Sequence, residues 1–175
     1  MRHVKYLFII LFFCACVQKQ SGHPDGQNKI KTSDSTSESL FEVSGEDAEM
    51  NSAIANARKT LSQFDDALKS RDDNFDYFSI KKRFPTPNDG GEHIWINQIE
   101  FSKDGYKGIV NNEAVETLEV KFGDTVYISK KDITDWMYLD KNVLRGGYTL
   151  RVAMNHMSKK EKEDFLKEAG FYIDN

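Results

Sequence analysis

The stretch Tyr77-Phe78-Ser79-Ile80-Lys81-Lys82-Arg83-Phe84, followed by Pro85-Thr86-Pro87-Asn88-Asp89-Gly90-Gly91, decides the class of fold. Phe78, Ile80, Lys82 and Phe84 alternate with Tyr77, Ser79, Lys81 and Arg83, the two-residue period of a half-buried strand, and the Pro/Gly run ends it. His93, Trp95, Asn97, Ile99 and Phe101 then alternate with Ile94, Ile96 and Gln98 as far as Asp104-Gly105, a hairpin signal. Residues 106–110 form the returning strand. Leu118, Val120 and Phe122, then residues 126–128, 133–139 and 148–152, supply further strand candidates, with turns at Gly123-Asp124, Lys141-Asn142 and Gly146-Gly147. Several short strands joined by tight turns predict a bent antiparallel sheet or a small, partly open SH3-like barrel, in which closure protects the edges.

Helices flank this β-rich centre. Upstream, Met50, Ile54, Ala57, Leu61, Phe64 and Leu68 recur at steps of three and four, which predicts an amphipathic helix over residues 46–69 that packs on the sheet. Downstream, Ser158 and Glu161 make a capping box, Phe165, Leu166 and Ala169 form a short apolar face, and Gly170 suits the position after a helix end. The expected class is therefore α+β, with a single domain over residues 46–175.

The remainder of the chain reads as an address. Residues 1–5 carry Arg2 and Lys5, and residues 6–13 are apolar, too short to span a bilayer, which takes about 20 residues. Phe13-Cys14-Ala15-Cys16 resembles a bacterial lipobox, with small Ala15 before Cys16. The expected processing is removal of residues 1–15 as a signal peptide and lipidation of Cys16, which would anchor the protein in a membrane through its acyl chains. Val17, rather than Asp, after that cysteine favours the outer membrane, with the domain facing the periplasm. Residues 16–45 are dominated by Gln, Ser, Thr, Lys, Gly and Asp and should form a disordered tether with an r.m.s. span of roughly 30 Å.

Composition limits the function. The 175 residues are 39% hydrophobic and 30% charged, with a net charge of −4, and the mean hydropathy is −0.61. With no basic cluster to neutralise phosphates, nucleic acid is not an expected partner. Both cysteines, Cys14 and Cys16, lie in the first sixteen residues, so the domain has no thiol nucleophile, disulfide or cysteine metal site. His93 and His156 lack metal-ligand spacing, and Gly146-Gly147 lacks the partners of a phosphate loop or dinucleotide fingerprint. No metal and no cofactor is expected.

Glu92-His93-Ile94-Trp95-Ile96, Gly123-Asp124, Ile133-Thr134-Asp135-Trp136-Met137-Tyr138 and Gly146-Gly147-Tyr148-Thr149-Leu150-Arg151 together resemble the YegJ-like bacterial family, over residues 47–165. The resemblance implies a domain of unknown function, often carried on short lipoproteins, and supplies no catalytic residue.

Asp135-Trp136-Met137-Tyr138 is the most informative segment for a site. On a strand Trp136 and Tyr138 share one face, and Asp135 and Met137 the other. In one reading, Trp136 and Tyr138 are core while Asp135 caps a turn or pairs with an Arg or Lys. In the other, aromatic rings line an open groove with Asp135, Arg145 and Arg151 as polar anchors, joined by His93 and Trp95, and the protein is a non-enzymatic envelope module that binds a protein, peptide or polymer. Two alternatives stand beside it: a small hydrolase or transferase using His93 or Asp135 as acid or base, and a structural or stress-response lipoprotein without a discrete ligand. Glu92 cannot orient His93 directly, because neighbours on a strand point to opposite faces.

Overall fold

A computed structural model of the protein describes residues 36–87 and 89–174, with side chains from Ala48 onward. The expected signal peptide, the expected lipidation site Cys16 and most of the expected tether lie outside the described residues.

The strand signals become a sheet of β1 (Phe75–Pro85), β2 (Gly91–Ser102), β3 (Gly105–Val110), β4 (Thr125–Ser129), β5 (Ile133–Asp140) and β6 (Val143–Gly146). Every pairing between them is antiparallel, and the order is β4-β3-β2-β1-β5-β6. The sheet is open, with β4 and β6 at its edges, so the barrel alternative does not hold. The predicted hairpin forms as expected, with Ser102 opposite Gly105 and Lys103-Asp104 at its tip.

Helices, rather than closure, cover the sheet. Helix α1 (Thr36–Lys59) and helix α2 (Leu61–Ser70) replace the single predicted helix. The break falls at Thr60, whose hydroxyl donates to the Asn56 carbonyl (2.7 Å) and bonds the Tyr148 hydroxyl (2.8 Å), a back-bond of the kind that bends helices. Ala57, Leu61 and Phe64 pack with Ile80, Phe84, Ile94, Ile96 and Trp136 on one face. Helices α3 (Tyr148–Asn155) and α4 (Lys159–Ala169) cover the other, where Trp95, Met137, Leu139 and Leu144 meet Leu150, Met154, Ala169 and Phe171. The capping box at Ser158 and Glu161 and the left-handed Gly170 are as predicted.

Two predicted strands are not strands. Residues 148–152 are helical because Gly146 and Gly147 adopt φ of 71° and 65° and turn the chain back over the sheet. Residues 118–122 belong to a loop in which Val115 and Leu118 are exposed. Val120 packs against the α2-side core, and Glu92 of β2 holds the loop's backbone at residues 115–117.

Strand β6 pairs only with residues 137–140 and leaves the first half of β5 without a strand neighbour on that side. Helix α1 fills that place. Arg58 Nε donates to the Ile133 carbonyl and Trp136 Nε1 donates to the Ala57 carbonyl, each at 2.8 Å, so the edge groups of sheet and helix are satisfied across the junction. Trp136 is 1% exposed and stacks with Tyr138 on the α2 face, the core reading of this segment.

Gly146 sets the crossing from β6 to α3. A Cβ there would lie 2.3 Å from the Trp136 carbonyl oxygen, whereas a Cβ at Gly123, also at positive φ, would meet open space. Gly146→Ala should therefore destabilise the fold by about 2–4 kcal/mol and Gly123→Ala by only about 1 kcal/mol. Urea denaturation of both variants measures the difference.

Candidate functional site

The second face of the sheet carries a row of polar residues. Lys81 on β1 pairs in register with Trp95 on β2 and with Asp135 on β5, so all three side chains project to the same side. His93 lies two residues before Trp95, on that same side. A bulge between Lys81 and Lys82 leaves Thr134 as the extra residue of β5 and turns its hydroxyl toward His93.

Asp135 is fully buried and closes the start of α3. Its Oδ1 accepts from the backbone N–H groups of Trp136 (2.8 Å) and Tyr148 (3.1 Å), and its Oδ2 from the N–H (2.8 Å) and hydroxyl (2.6 Å) of Thr149. Gly147 at the helix cap offers no side chain, and Asp135 from the sheet takes over that role. Burial pushes the Asp135 carboxyl up, against the opposing pull of the Thr149 and Trp136 bonds and the Lys81 charge.

Lys81 is the counterpart. Its Nζ donates to Thr149 Oγ1 at 3.1 Å and stands 5.1 Å from the Trp95 ring centroid. Thr149 is thus a bridge: its oxygen accepts from Lys81 while its single hydrogen goes to Asp135. Burial lowers the Lys81 ammonium, and the Asp135 charge partly restores it.

Lys81 and Thr149 form the floor of a cleft of about 360 Å³, within the range of small-molecule sites. Met50 and Ile54 of α1 make one apolar wall, and Trp95 the other. The remaining wall is the loop over residues 111–124. The Glu92 carboxylate holds it by accepting from the N–H groups of Val115, Glu116 and Thr117, each at 2.9 Å. Burial works against the charged form of Glu92, but these three donors outweigh it and keep the group below the usual carboxylate range. Glu113 and Glu116 stand at the exposed rim.

His93 also lines the cleft. Its Nδ1 lies 3.0 Å from Thr134 Oγ1, and that hydroxyl donates to the Lys81 carbonyl at 3.2 Å. The hydroxyl's one proton is thereby used, which assigns Nδ1 as the donor. The packed side of the ring, together with the Lys81 and Arg83 charges, lowers its pKa from 6.5 to about 4, so His93 is neutral near pH 7.

Of the residues singled out in the sequence, the structure brings His93 and Trp95 to the cleft and Asp135 directly behind it. Trp136 is in the core of the opposite face. Arg145 sits on β6, where it bonds Asp140 and Asp174, and Arg151 donates to the Leu144 and Gly146 carbonyls; neither lines the cleft. Lys81 and Thr149 are the residues that sequence reasoning misses. Lys81 lies on the polar side of an apparently half-exposed strand, and its one signal is that a buried Asp135 calls for a cation.

The His93 shift has a pH consequence. The unfolded chain binds a proton at His93 near pH 6.5 and the folded chain only near pH 4, so stability contributed by this residue is full above pH 6.5, falls between 6.5 and 4 and is level below. Comparing wild type with His93→Gln by urea denaturation across that window should show stability falling more steeply on acidification in the wild type, and an NMR titration of the His93 ring should give a midpoint near 4.

Comparisons with known proteins add lineage. No solved structure matches the chain. It is 30% identical over 115 residues to the "Uncharacterized protein YegJ" of Escherichia coli (strain K12), which covers 66% of this chain and 73% of that protein. It is 29% identical over 132 residues to the "Putative ankyrin repeat protein NMB1133/NMB1171" of Neisseria meningitidis serogroup B, covering 71% of this chain and 52% of that protein. A family model described as "Uncharacterized protein conserved in bacteria (DUF2314)" matches residues 47–173. That match takes in every strand, helices α2 to α4 and all the cleft-lining side chains, and the chain therefore belongs to this YegJ-like DUF2314 family.

Proposed function

We propose that the protein is a bacterial envelope lipoprotein, tethered through Cys16, whose domain binds a small ligand in the cleft above Lys81 without turning it over. The observation that carries the binding reading is the ammonium on the cleft floor. Lys81 has three N–H donors, gives one to Thr149, and keeps donor capacity for an oxygen acceptor on a ligand. The carboxylate that acts on its charge, Asp135, is already occupied by four donors behind Thr149. A ligand with an oxygen head, carboxylate or carbonyl, and an apolar body suited to Trp95, Met50 and Ile54 fits this arrangement.

The same geometry disfavours a hydrolase or transferase. A general base works best with a pKa near the operating pH, and His93 is held at about 4. Asp135 is enclosed by its own hydrogen bonds. The leader sequence supports the tether, because a short apolar run ending in Ala15-Cys16 suits lipidation rather than a span.

Titration of the isotopically labelled full chain with octanoate and with N-acetyl-leucine should shift the Trp95 indole and Thr149 amide signals. Lys81→Met should weaken binding by about 10- to 100-fold, the loss of a charge-assisted hydrogen bond, while Lys103→Met leaves it unchanged. Shifts confined to other surfaces, or equal binding by Lys81→Met, would reject the cleft. Metabolic labelling with a radioactive fatty acid should mark the wild type and leave Cys16→Ser unlabelled and released from membranes.

A further inference from the structure

We infer that Lys81 is a carbonyl-capturing amine, and that the cleft holds a small aldehyde or ketone that condenses with Nζ to an imine. The inference rests on the binding reading above and names the ligand's reactive group. An imine-forming lysine needs a neutral amine, a route for its proton, and an apolar pocket beside the nitrogen. The relay and the pocket are in place here, and burial works toward the neutral form of the amine.

The proton route is Lys81, Thr149, Asp135. Nζ donates to Thr149 Oγ1 at 3.1 Å, and Thr149 Oγ1 donates to Asp135 Oδ2 at 2.6 Å. As the ammonium passes a proton to the hydroxyl, the hydroxyl passes its own to the carboxylate. An ion pair separated by one hydroxyl becomes a neutral pair, a change favoured by the desolvation of both groups. Trp95 covers one side of the nitrogen, with Met50 and Ile54 facing the space above it.

The condensation balances without another reactant. The Nζ lone pair attacks the carbonyl carbon and forms the C–N bond, while the carbonyl π pair moves to oxygen and takes a proton from nitrogen. The proton held on Asp135 returns through Thr149 to the resulting hydroxyl, which leaves as water as the nitrogen pair forms the C=N bond. The imine keeps the positive charge that Asp135 opposes. Hydrolysis reverses each step, so capture is reversible and no oxidant or reductant is consumed. Lys81 is the reacting group here, and Thr149 and Asp135 are positioning residues.

The test is reductive trapping on the full chain with butanal and sodium cyanoborohydride at pH 7, read by peptide mapping. Lys159 and Lys160, with side chains 91% and 84% exposed, are internal references. Lys81 should be butylated at least about tenfold faster than either, with one butyl group per chain before any other lysine reacts. A Lys81 rate equal to or below theirs overturns the proposal. Thr149→Ser should keep the rate, whereas Thr149→Val should slow it by about a hundredfold and move its pH dependence upward; an unchanged rate and pH profile in Thr149→Val overturns the relay. Octanoate shifts at Trp95 without Lys81 labelling would reject the imine and leave the binding reading standing, while absence of both would reject the two together.

Discussion

The carboxylate of Asp135 joins sheet, helix and cleft in a single set of bonds. It sits on β5 with no exposure to solvent, and an unpaired charge in that position would be strongly destabilising. Four donors satisfy it, and three of them belong to the first residues of α3. The carboxylate therefore fixes where α3 begins and how it lies across the sheet. Because Thr149 is one of those residues, the same bonds decide what stands next to Lys81.

The placement of α3 depends in turn on close packing at Gly146. The chain leaves β6 against the Trp136 carbonyl and ring at a distance that no side chain permits, and Gly147 N–H then donates to that same carbonyl at 2.8 Å. Trp136 thus acts on both faces: its ring completes the α2 side of the core, its indole holds α1 and its carbonyl receives the turn into α3. Groups on one strand, at adjacent positions 135 and 136, organise helices on opposite sides of the sheet. Such alternation is what a strand supplies and a helix cannot.

The cleft follows from an incomplete sheet edge. Strand β6 is too short to pair with the first half of β5, so α1 runs past it and brings Met50 and Ile54 over the face that holds Lys81. Glu92 fixes the opposite wall by gathering three loop N–H groups, which spends its charge on structure and leaves Lys81 as the polar group at the floor. The result is a cationic floor, apolar walls and an acidic rim, built from four separate parts of the chain.

Local patterns determined most of the elements. Alternation of Ile80 and Phe84 with Ser79 and Lys81 specified β1, the Asp104-Gly105 pair specified the hairpin, and Ser158 with Glu161 specified the start of α4, because periodicity and capping act over a few residues. Strand alternation placed Trp136 and Tyr138 on one face and Asp135 and Met137 on the other but left open which pair is core, while the family was legible from the Asp-Trp-Met-Tyr and Gly-Gly-Tyr-Thr segments. Tertiary structure decided the rest: that the sheet stays open, that residues 148–152 turn helical and that Leu118 to Phe122 remain loop. It also decided that Lys81 is half-buried, with Thr149 beside its ammonium. A lysine on the polar side of a strand reads as solvated until a helix is laid over it, and the bonds that lay α3 there connect residues 13 and 14 positions apart in sequence and a lysine 68 positions away. No local pattern carries separations of that length, so the site exists only once the chain has folded.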